Sequence, residues 1–142
     1  MFNKILVPVD GSEHSLKAAR MAAEIARRFE AQLTLCNAAY LPESMLAAPN
    51  LTGVVTAQDA LEEAATQILQ MTRKEIDLPD EQIREVMLRG HPAEVILDYN
   101  KAEHFDLIVM GSRGRSGVKA FLLGSTSDKV SHHATCPVLI VH

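Results

Sequence analysis

Short apolar runs recur along the chain at the length of a β-strand. They lie at residues 4–9 (KILVPV), 32–36 (QLTLC), 83–88 (IREVML), 106–110 (DLIVM) and 137–141 (PVLIV). Most of these runs are rich in β-branched residues and do not alternate with polar ones, which is typical of strands covered on both faces of a parallel sheet. The pattern therefore predicts five buried strands.

Helical periodicity fills the segments between these runs. Residues 13–29 and 57–75 each carry one apolar stripe at helical spacing, and shorter helices are predicted at about 92–103 and 125–134. Five strands that alternate with four helices predict an open, doubly wound α/β sheet with right-handed crossovers and helices on both faces. The longest irregular stretch, at about 39–56, is expected to be a functional flap or a mobile connection.

Length and composition predict one soluble domain over residues 1–142. Hydrophobic residues make up 47% and charged residues 23% of the chain, which excludes disorder. The formal net charge of −4 disfavours a nucleic acid or an anionic membrane as partner, so a bound phosphate has to be held locally. No apolar run approaches the roughly 18 residues of a membrane span.

The two cysteines and the N-terminal residues bear on the cellular compartment. Two cysteines in 142 residues do not make a disulfide scaffold. The segment MFNKILVPVD lacks the charged region, apolar stretch and cleavage site of a secretory signal. A cytoplasmic location is expected.

Candidate chemistry follows two of the predicted strands. The first strand ends in PVDGS at residues 8–12, and the fourth runs into GSRGRSG at 111–117. Residues 124–126 (GST) then open the last helix. Ligands of open α/β sheets bind outside the carboxyl ends of the strands, where the winding reverses. If the first and fourth strands are neighbours, both segments line one crevice.

The glycine-rich segment has two interpretations. Glycines let the backbone approach a ligand closely, and successive N–H groups can then converge on an anion. Ser125 and Thr126 fall in the first turn of a helix, where free N–H groups and the helix dipole favour a phosphate. Alternatively, the glycines only shape a long turn and Gly124 caps the helix. Three basic residues lie in or beside the segment: Arg113, Arg115 and Lys119.

The glycine spacing excludes two common nucleotide motifs. No window supplies the G-x-x-x-x-G-K-[ST] of a P-loop, and the dinucleotide fingerprint G-x-G-x-x-G is missing. The glycines fall at 111, 114 and 117, and nine residues separate Gly114 from Gly124. The motif in this chain is therefore G-x-x-G, nine residues, then G-S-T.

This motif resembles that of the universal stress protein family, in particular its ATP-binding subgroup. Gly111, Gly114, Gly124 and Ser125 match the motif without a gap. The resemblance extends from the opening KILVPVDGSEHS through GHPAEVI at 90–96 to the closing CPVLIV. It implies an adenine nucleotide alpha hydrolase-like fold, a five-stranded sheet in the order 3-2-1-4-5.

The resemblance also implies a set of nucleotide-binding residues. They are Pro8, Val9 and Asp10 after the first strand, Ala38 after the second, Met110, Gly111, Arg113 and Gly114 along the ribose and phosphates, and Gly124, Ser125 and Thr126 at the phosphates. The chain departs from the family pattern at two positions. Ala38 stands where valine is more usual, and Asn37 replaces a common histidine, which implies a looser adenine pocket.

Asp10 needs a physical account of its own. A bare carboxylate beside a polyphosphate is repulsive unless a cation or a hydroxyl group lies between them. It is therefore expected to meet the sugar or a Mg²⁺ ion, which binds nucleotide phosphates with only one or two protein carboxylates. Alternatively, Asp10 caps the first helix together with Ser12.

The remaining titratable residues suggest no second site. His132 and His133 are adjacent, so on a helix they point about 100° apart and cannot share a metal ion as i and i+4 ligands could. Cys36 lies inside the second predicted strand and is interpreted as a small buried hydrophobic residue. No residue is assigned a catalytic role.

Three functions remain open. The leading hypothesis is a stress-response regulatory protein that binds ATP, ADP or AMP, with Mg²⁺, and acts as a switch by reordering segments 39–56 and 111–124. The alternatives are a slow ATPase or autophosphorylating protein, and an interaction module that does not use nucleotide, which the complete glycine motif disfavours. In the family's strand order the apolar strand 137–141 lies at a sheet edge, so a homodimer is expected there.

Overall fold

The secondary structure follows the alternation of strand and helix along the chain. The computed structural model describes residues 1–42, 51–113 and 123–142, with the backbone alone for 51–56. The elements are β1 (Lys4–Pro8), α1 (Glu13–Phe29), β2 (Gln32–Ala39), α2 (Leu51–Lys74), a 3-10 turn (Asp80–Gln82), β3 (Ile83–Arg89), α3 (Pro92–Glu103), β4 (Leu107–Gly111), α4 (Ser125–His133) and β5 (Val138–Val141). The predicted residues Gly114, Arg115 and Lys119 lie outside the described residues.

The prediction of an irregular stretch over 39–56 is partly wrong. Ala39 is the last residue of β2, and α2 begins at Leu51, six residues before the predicted helix. The missed turn contains TGVVT, residues of low intrinsic helix propensity. Helix propagation adds one hydrogen bond for each residue fixed, so a helix established over 57–74 extends through such residues at small cost. Residues 43–50 lie outside the described part of the chain.

The five strands form one parallel sheet in the order β3-β2-β1-β4-β5. This order confirms the predicted doubly wound topology and the predicted strand order 3-2-1-4-5. The winding reverses at β1, since β2 and β3 lie on one side of it and β4 and β5 on the other. The point of reversal is therefore the gap between β1 and β4.

Helices cover both faces of the sheet, as predicted. The buried cluster on one face joins the sheet to α1 and to Leu69 of α2, and the other joins it to α3 and to Val130 of α4. The buried face of α1 consists almost entirely of alanines, so this helix lies close to the strands: Ala18, Ala19, Ala22, Ala23 and Ala26. None of the described helices is long and apolar enough to cross a bilayer.

Candidate functional site

A crevice opens between β1 and β4 at the carboxyl end of the sheet. These strands pair at Ile5–Leu107 and Leu6–Ile108, and the pairing stops there. The outer pairings continue further, to Pro8–Cys36 on one side and Gly111–Val141 on the other. The strands on each side therefore stay paired while β1 and β4 separate, which produces the crevice expected where the winding reverses.

A cavity of about 270 Å³ fills this crevice. Ten of the eleven residues predicted to bind a ligand line it: Pro8, Val9, Asp10, Ala38, Met110, Gly111, Arg113, Gly124, Ser125 and Thr126. The eleventh, Gly114, lies outside the described residues. The fold therefore brings residues from β1, β2, β4 and α4 to one place.

The turn between β1 and α1 carries Asp10. One carboxylate oxygen of Asp10 accepts the N–H of Ser12 at 2.9 Å, and Gly11 between them adopts a φ of 84°, which favours glycine. Ser12 is the N-cap of α1, where its hydroxyl accepts the N–H of Ser15 at 3.2 Å. Asp10 thus contributes to the turn that starts α1, as the capping alternative predicts, and also lines the cavity.

Ser15 supports the same turn and was not predicted from the sequence. Its buried hydroxyl donates to the carbonyl of Ser12 at 3.0 Å and accepts the N–H of Asp10 at 3.3 Å. Ser15 also lines the cavity. The two bonds hold the backbone of Asp10 against the first turn of α1 and so restrict the position of its carboxylate.

Gly111 lets β4 approach α1 closely. A Cβ atom at this position would lie 2.8 Å from the carbonyl carbon and from the Cβ of His14, and 3.0 Å from the carbonyl oxygen. Such contacts are shorter than packed atoms tolerate, and two of the three involve backbone atoms that cannot rotate away. The first glycine of the motif is therefore required by packing, independently of any ligand.

The start of α4 faces the cavity without a side-chain cap. Gly124 is its N-cap and offers no side chain, and its own N–H donates to the carbonyl of Ser112 at 2.7 Å. The first backbone N–H groups of an α-helix have no partner within the helix. Ser125, Thr126 and Ser127 form this turn and all line the cavity. The arrangement presents N–H donors and hydroxyl groups where the helix dipole favours an anion.

One part of the cavity wall is largely apolar. It includes Cys36 and Met110 on the sheet and Pro92 and Ile96 from α3. Burial raises the pKa of the Cys36 thiol to about 12, so this group stays protonated and serves as a small apolar surface rather than a nucleophile.

Asn37 explains part of the β1–β2 geometry. Its side-chain amide donates to the carbonyl of Val9 at 2.7 Å, just beyond the last residue of β1. The N–H of Val9 donates in turn to the carbonyl of Cys36 at 2.8 Å. Asn37 thus holds the ends of β1 and β2 together beside Ala38, which lines the cavity with its small side chain.

Six further residues that line the cavity were not among the predicted binding residues: Ser15, Cys36, Asn37, Pro92, Ile96 and Ser127. Pro92 and Ile96 belong to the segment GHPAEVI, which carried the family resemblance but no assigned role. Gly90 has a φ of 131°, and this turn leads β3 into the first turn of α3 beside the cavity. That glycine–proline pair is the signal that could have placed α3 at the site.

The described residues contain no cluster of side chains suited to bind a metal ion. No group of three or more metal-ligating side chains occurs within 1–42, 51–113 and 123–142. Nδ1 of His132 lies 2.7 Å from the carbonyl oxygen of Asp128 on its own helix.

Among the described residues, one buried hydroxyl near the cavity has no hydrogen-bond partner. Ser112 is 2% exposed and its Oγ meets no partner in the described part of the chain, although its N–H donates to Val141 and its carbonyl accepts from Gly124. Ser112→Ala removes the unpaired group and keeps the backbone bonds, so we expect the free energy of unfolding to rise by about 1 kcal/mol. Urea denaturation measures this change. A clear loss of stability would show that the hydroxyl is bonded in solution.

Comparison with known proteins agrees with this fold. The model of the universal stress protein family matches residues 1–142. The chain is 36% identical over 149 aligned positions to universal stress protein YxiE of Bacillus subtilis, covering 99% of both chains. It superimposes on UspA of Lactobacillus plantarum with a TM-score of 0.80 at 27% identity, covering 99% and 98% of the two chains.

A further solved relative carries a nucleotide. It is a universal stress protein in complex with cAMP, with a TM-score of 0.74 and 25% identity, covering 99% of this chain and 97% of the other. The family match spans the whole chain, and the curated relative exceeds 30% identity over nearly all of its length. The chain therefore belongs to the universal stress protein family.

Proposed function

We propose that the protein binds an adenine nucleotide in the β1–β4 crevice and acts as a regulatory protein of the stress response. The observation that carries this proposal is the uncapped start of α4, which opens into the same cavity as Asp10. A helix N-terminus and a carboxylate that line one cavity suit a ligand with both an anionic group and hydroxyl groups. A nucleotide has both.

The apolar wall supports a base at the other end of the ligand. Cys36, Met110 and Ile96 offer packing surface, and the cavity of about 270 Å³ lies near the lower end of the usual range for small-molecule sites. The relative solved with cAMP is consistent with an adenine ring in a cavity of this fold. We expect ATP, ADP and AMP to compete for the site.

Mg²⁺ fits the site as a partner of the phosphates. Asp10 is the single carboxylate among the described residues that line the cavity. Mg²⁺ keeps most of its coordination for water and phosphate oxygens and needs only one or two protein carboxylates. Asp10 would hold such an ion and reduce its own repulsion with the phosphates, or accept a hydrogen bond from a ribose hydroxyl.

Calorimetric titration tests the proposal directly. The full chain is titrated with ATP in the presence of Mg²⁺, with GTP as the matched control for the base. We expect saturable binding of ATP in the micromolar to millimolar range and weaker binding of GTP. Absence of ATP binding at millimolar concentration would end the proposal. An ATP hydrolysis activity that copurifies with the protein would instead favour an ATPase.

The switch is a separate part of the proposal. A ligand shifts a conformational equilibrium only when it binds one arrangement better than the other. Amide hydrogen exchange with and without ATP is expected to differ over segments 39–56 and 111–124. Identical exchange in both states would leave a nucleotide-binding protein that does not switch through these segments.

We also propose that the protein forms a homodimer through β5. This strand is an edge of the sheet, and an edge with free backbone groups favours pairing with another strand. The carbonyls of Pro137 and Val141 accept bonds from Ile108 and Ser112 of the β4 side. Because backbone groups alternate along a strand, those of Val138 and Ile140 face the free edge.

Ile140→Pro is expected to convert the dimer into a monomer. Proline removes an N–H that faces the free edge, and it is tolerated on edge strands because the ladder to β4 does not use that group. Ile140→Ala is the matched control, since it shortens the same side chain and keeps the N–H. Sedimentation velocity distinguishes the two variants. A dimer that persists in Ile140→Pro would show that this edge is not the interface.

A further inference from the structure

Two hydrogen bonds join the start of α4 to consecutive carbonyl groups at the end of β4. The Oγ of Ser127 donates to the carbonyl of Gly111 at 2.6 Å, and the N–H of Gly124 donates to the carbonyl of Ser112 at 2.7 Å. Ser112 is itself bound to β5 through Val141 at 2.8 Å. The two bonds hold the N-terminal turn of α4 at a fixed place beside the crevice.

The carbonyl that Ser127 binds is held firmly in position. Gly111 packs against the backbone of His14 with no space for a side chain, so β4 cannot slide relative to α1 at this point. Amides of Ile108 and Ser112 pair with β5, so by alternation the carbonyl of Gly111 faces the β1 side, where pairing has ended. The hydroxyl of Ser127 takes the place of the missing strand partner.

The hydrogen bond to Gly111 also limits how the Ser127 hydroxyl can contact a ligand. A serine hydroxyl has one proton, and that of Ser127 is directed to Gly111. Ser127 is 4% exposed, whereas Ser125 is exposed and Thr126 is half-buried in the same turn. The hydroxyls of Ser125 and Thr126 are therefore the ones available to a phosphate.

We propose that Ser127 is a positioning residue that orients the N-terminal amides of α4 towards the phosphate of the bound nucleotide. The inference rests on the proposed function, since it assigns a task within that site. The residues that the proposed function assigns to the base belong to other elements, such as Cys36 on β2 and Ile96 on α3. Loss of the Ser127 bond should therefore weaken phosphate binding and spare the nucleoside part.

Ser127→Ala separates these two parts of the ligand. We expect its affinity for ATP to fall about tenfold, the size of one hydrogen bond, while its affinity for adenosine stays within about twofold of wild type. Calorimetry measures ATP, and ligand-detected NMR measures adenosine when its binding is weak. A general loss of folding would weaken both ligands by the same factor, so the difference between them reports the positioning role.

Two companion variants complete the experiment. Ser131→Ala on the same helix removes an exposed hydroxyl that donates to the carbonyl of Asp128 at 2.8 Å, and it should bind both ligands as wild type does. Ser127→Cys keeps a side chain of similar size with a weak donor, and is used if Ser127→Ala does not fold. We expect its loss of ATP affinity to be smaller than tenfold, again with adenosine unchanged.

The outcomes distinguish this inference from the proposed function. Equal losses for ATP and adenosine, or an unchanged ATP affinity in Ser127→Ala, would overturn the positioning role while the proposed function stands. Failure of the wild-type chain to bind ATP would overturn the proposed function and the inference with it.

Discussion

Gly111→Ala is expected to lower the free energy of unfolding by about 1–3 kcal/mol, the usual cost of overpacking a close contact. The added methyl group would meet the carbonyl carbon and Cβ of His14 at 2.8 Å. Since one of these atoms is backbone, either the first turn of α1 or the end of β4 has to move. Urea denaturation gives the stability change.

The same substitution is expected to weaken ATP binding about tenfold or more, because small displacements of a binding site have large effects on geometry-dependent contacts. The carbonyl of Gly111 holds Ser127, and the turn that would move carries the cavity-lining residues Asp10 and Ser15. Ser112→Ala is the adjacent control, because it changes the next residue without adding volume. If Gly111→Ala matched wild type in both stability and ATP affinity, the close approach of β4 to α1 would not exist in solution.

The sheet could be predicted well because strands buried on both faces leave a clear sequence pattern, a continuous run of apolar residues. A strand covered on both sides cannot carry polar residues at alternate positions, so unbroken apolar runs at 5–9 and 107–110 indicate central strands. The structure places these runs as neighbours in the middle of the sheet. The start of α2 was missed because Gly53 and its β-branched neighbours are poor helix formers locally, while helix propagation from the following turns decides the outcome.

The candidate site was predictable where its residues follow strands. Asp10 lies two residues beyond β1 and Gly111 is the last residue of β4, and parallel strands bring their carboxyl ends to the same end of the sheet. Ser15 and Ser127 were missed because a serine's role depends on which backbone group its hydroxyl meets, and Gly111 is sixteen residues from Ser127 in sequence. Ile96 was missed because its place at the cavity depends on how α3 packs after the crossover.

Asp10→Asn is expected to lower the affinity for ATP about tenfold, since a hydrogen bond or ion contact made by a charged group loses roughly 1–1.5 kcal/mol when the charge is removed. The variant should keep its fold. An asparagine oxygen can accept the N–H of Ser12 as Oδ1 of Asp10 does now, so the turn into α1 is preserved. Thermal melting checks that stability is close to wild type.

Asp106→Asn is the matched control for the change in charge. Oδ2 of Asp106 accepts the N–H groups of Asn3 and Lys4, at 2.7 and 2.9 Å, at the amino-terminal end of the strands, away from the crevice. This variant makes the same change in net charge far from the crevice, so we expect its affinity for ATP to equal that of wild type. A loss as large as that of Asp10→Asn would point to the net charge of the chain instead of a local contact.

Removal of Mg²⁺ then decides what Asp10 meets. If the carboxylate holds Mg²⁺ on the phosphates, EDTA weakens ATP binding to wild type and removes its advantage over Asp10→Asn, and adenosine binds both proteins equally. If it accepts a ribose hydroxyl, the variant loses affinity for ATP and adenosine alike, with or without EDTA. A bare carboxylate near phosphates is repulsive, so tighter ATP binding by Asp10→Asn in the presence of Mg²⁺ would mean that neither contact exists and that Asp10 serves only the turn into α1.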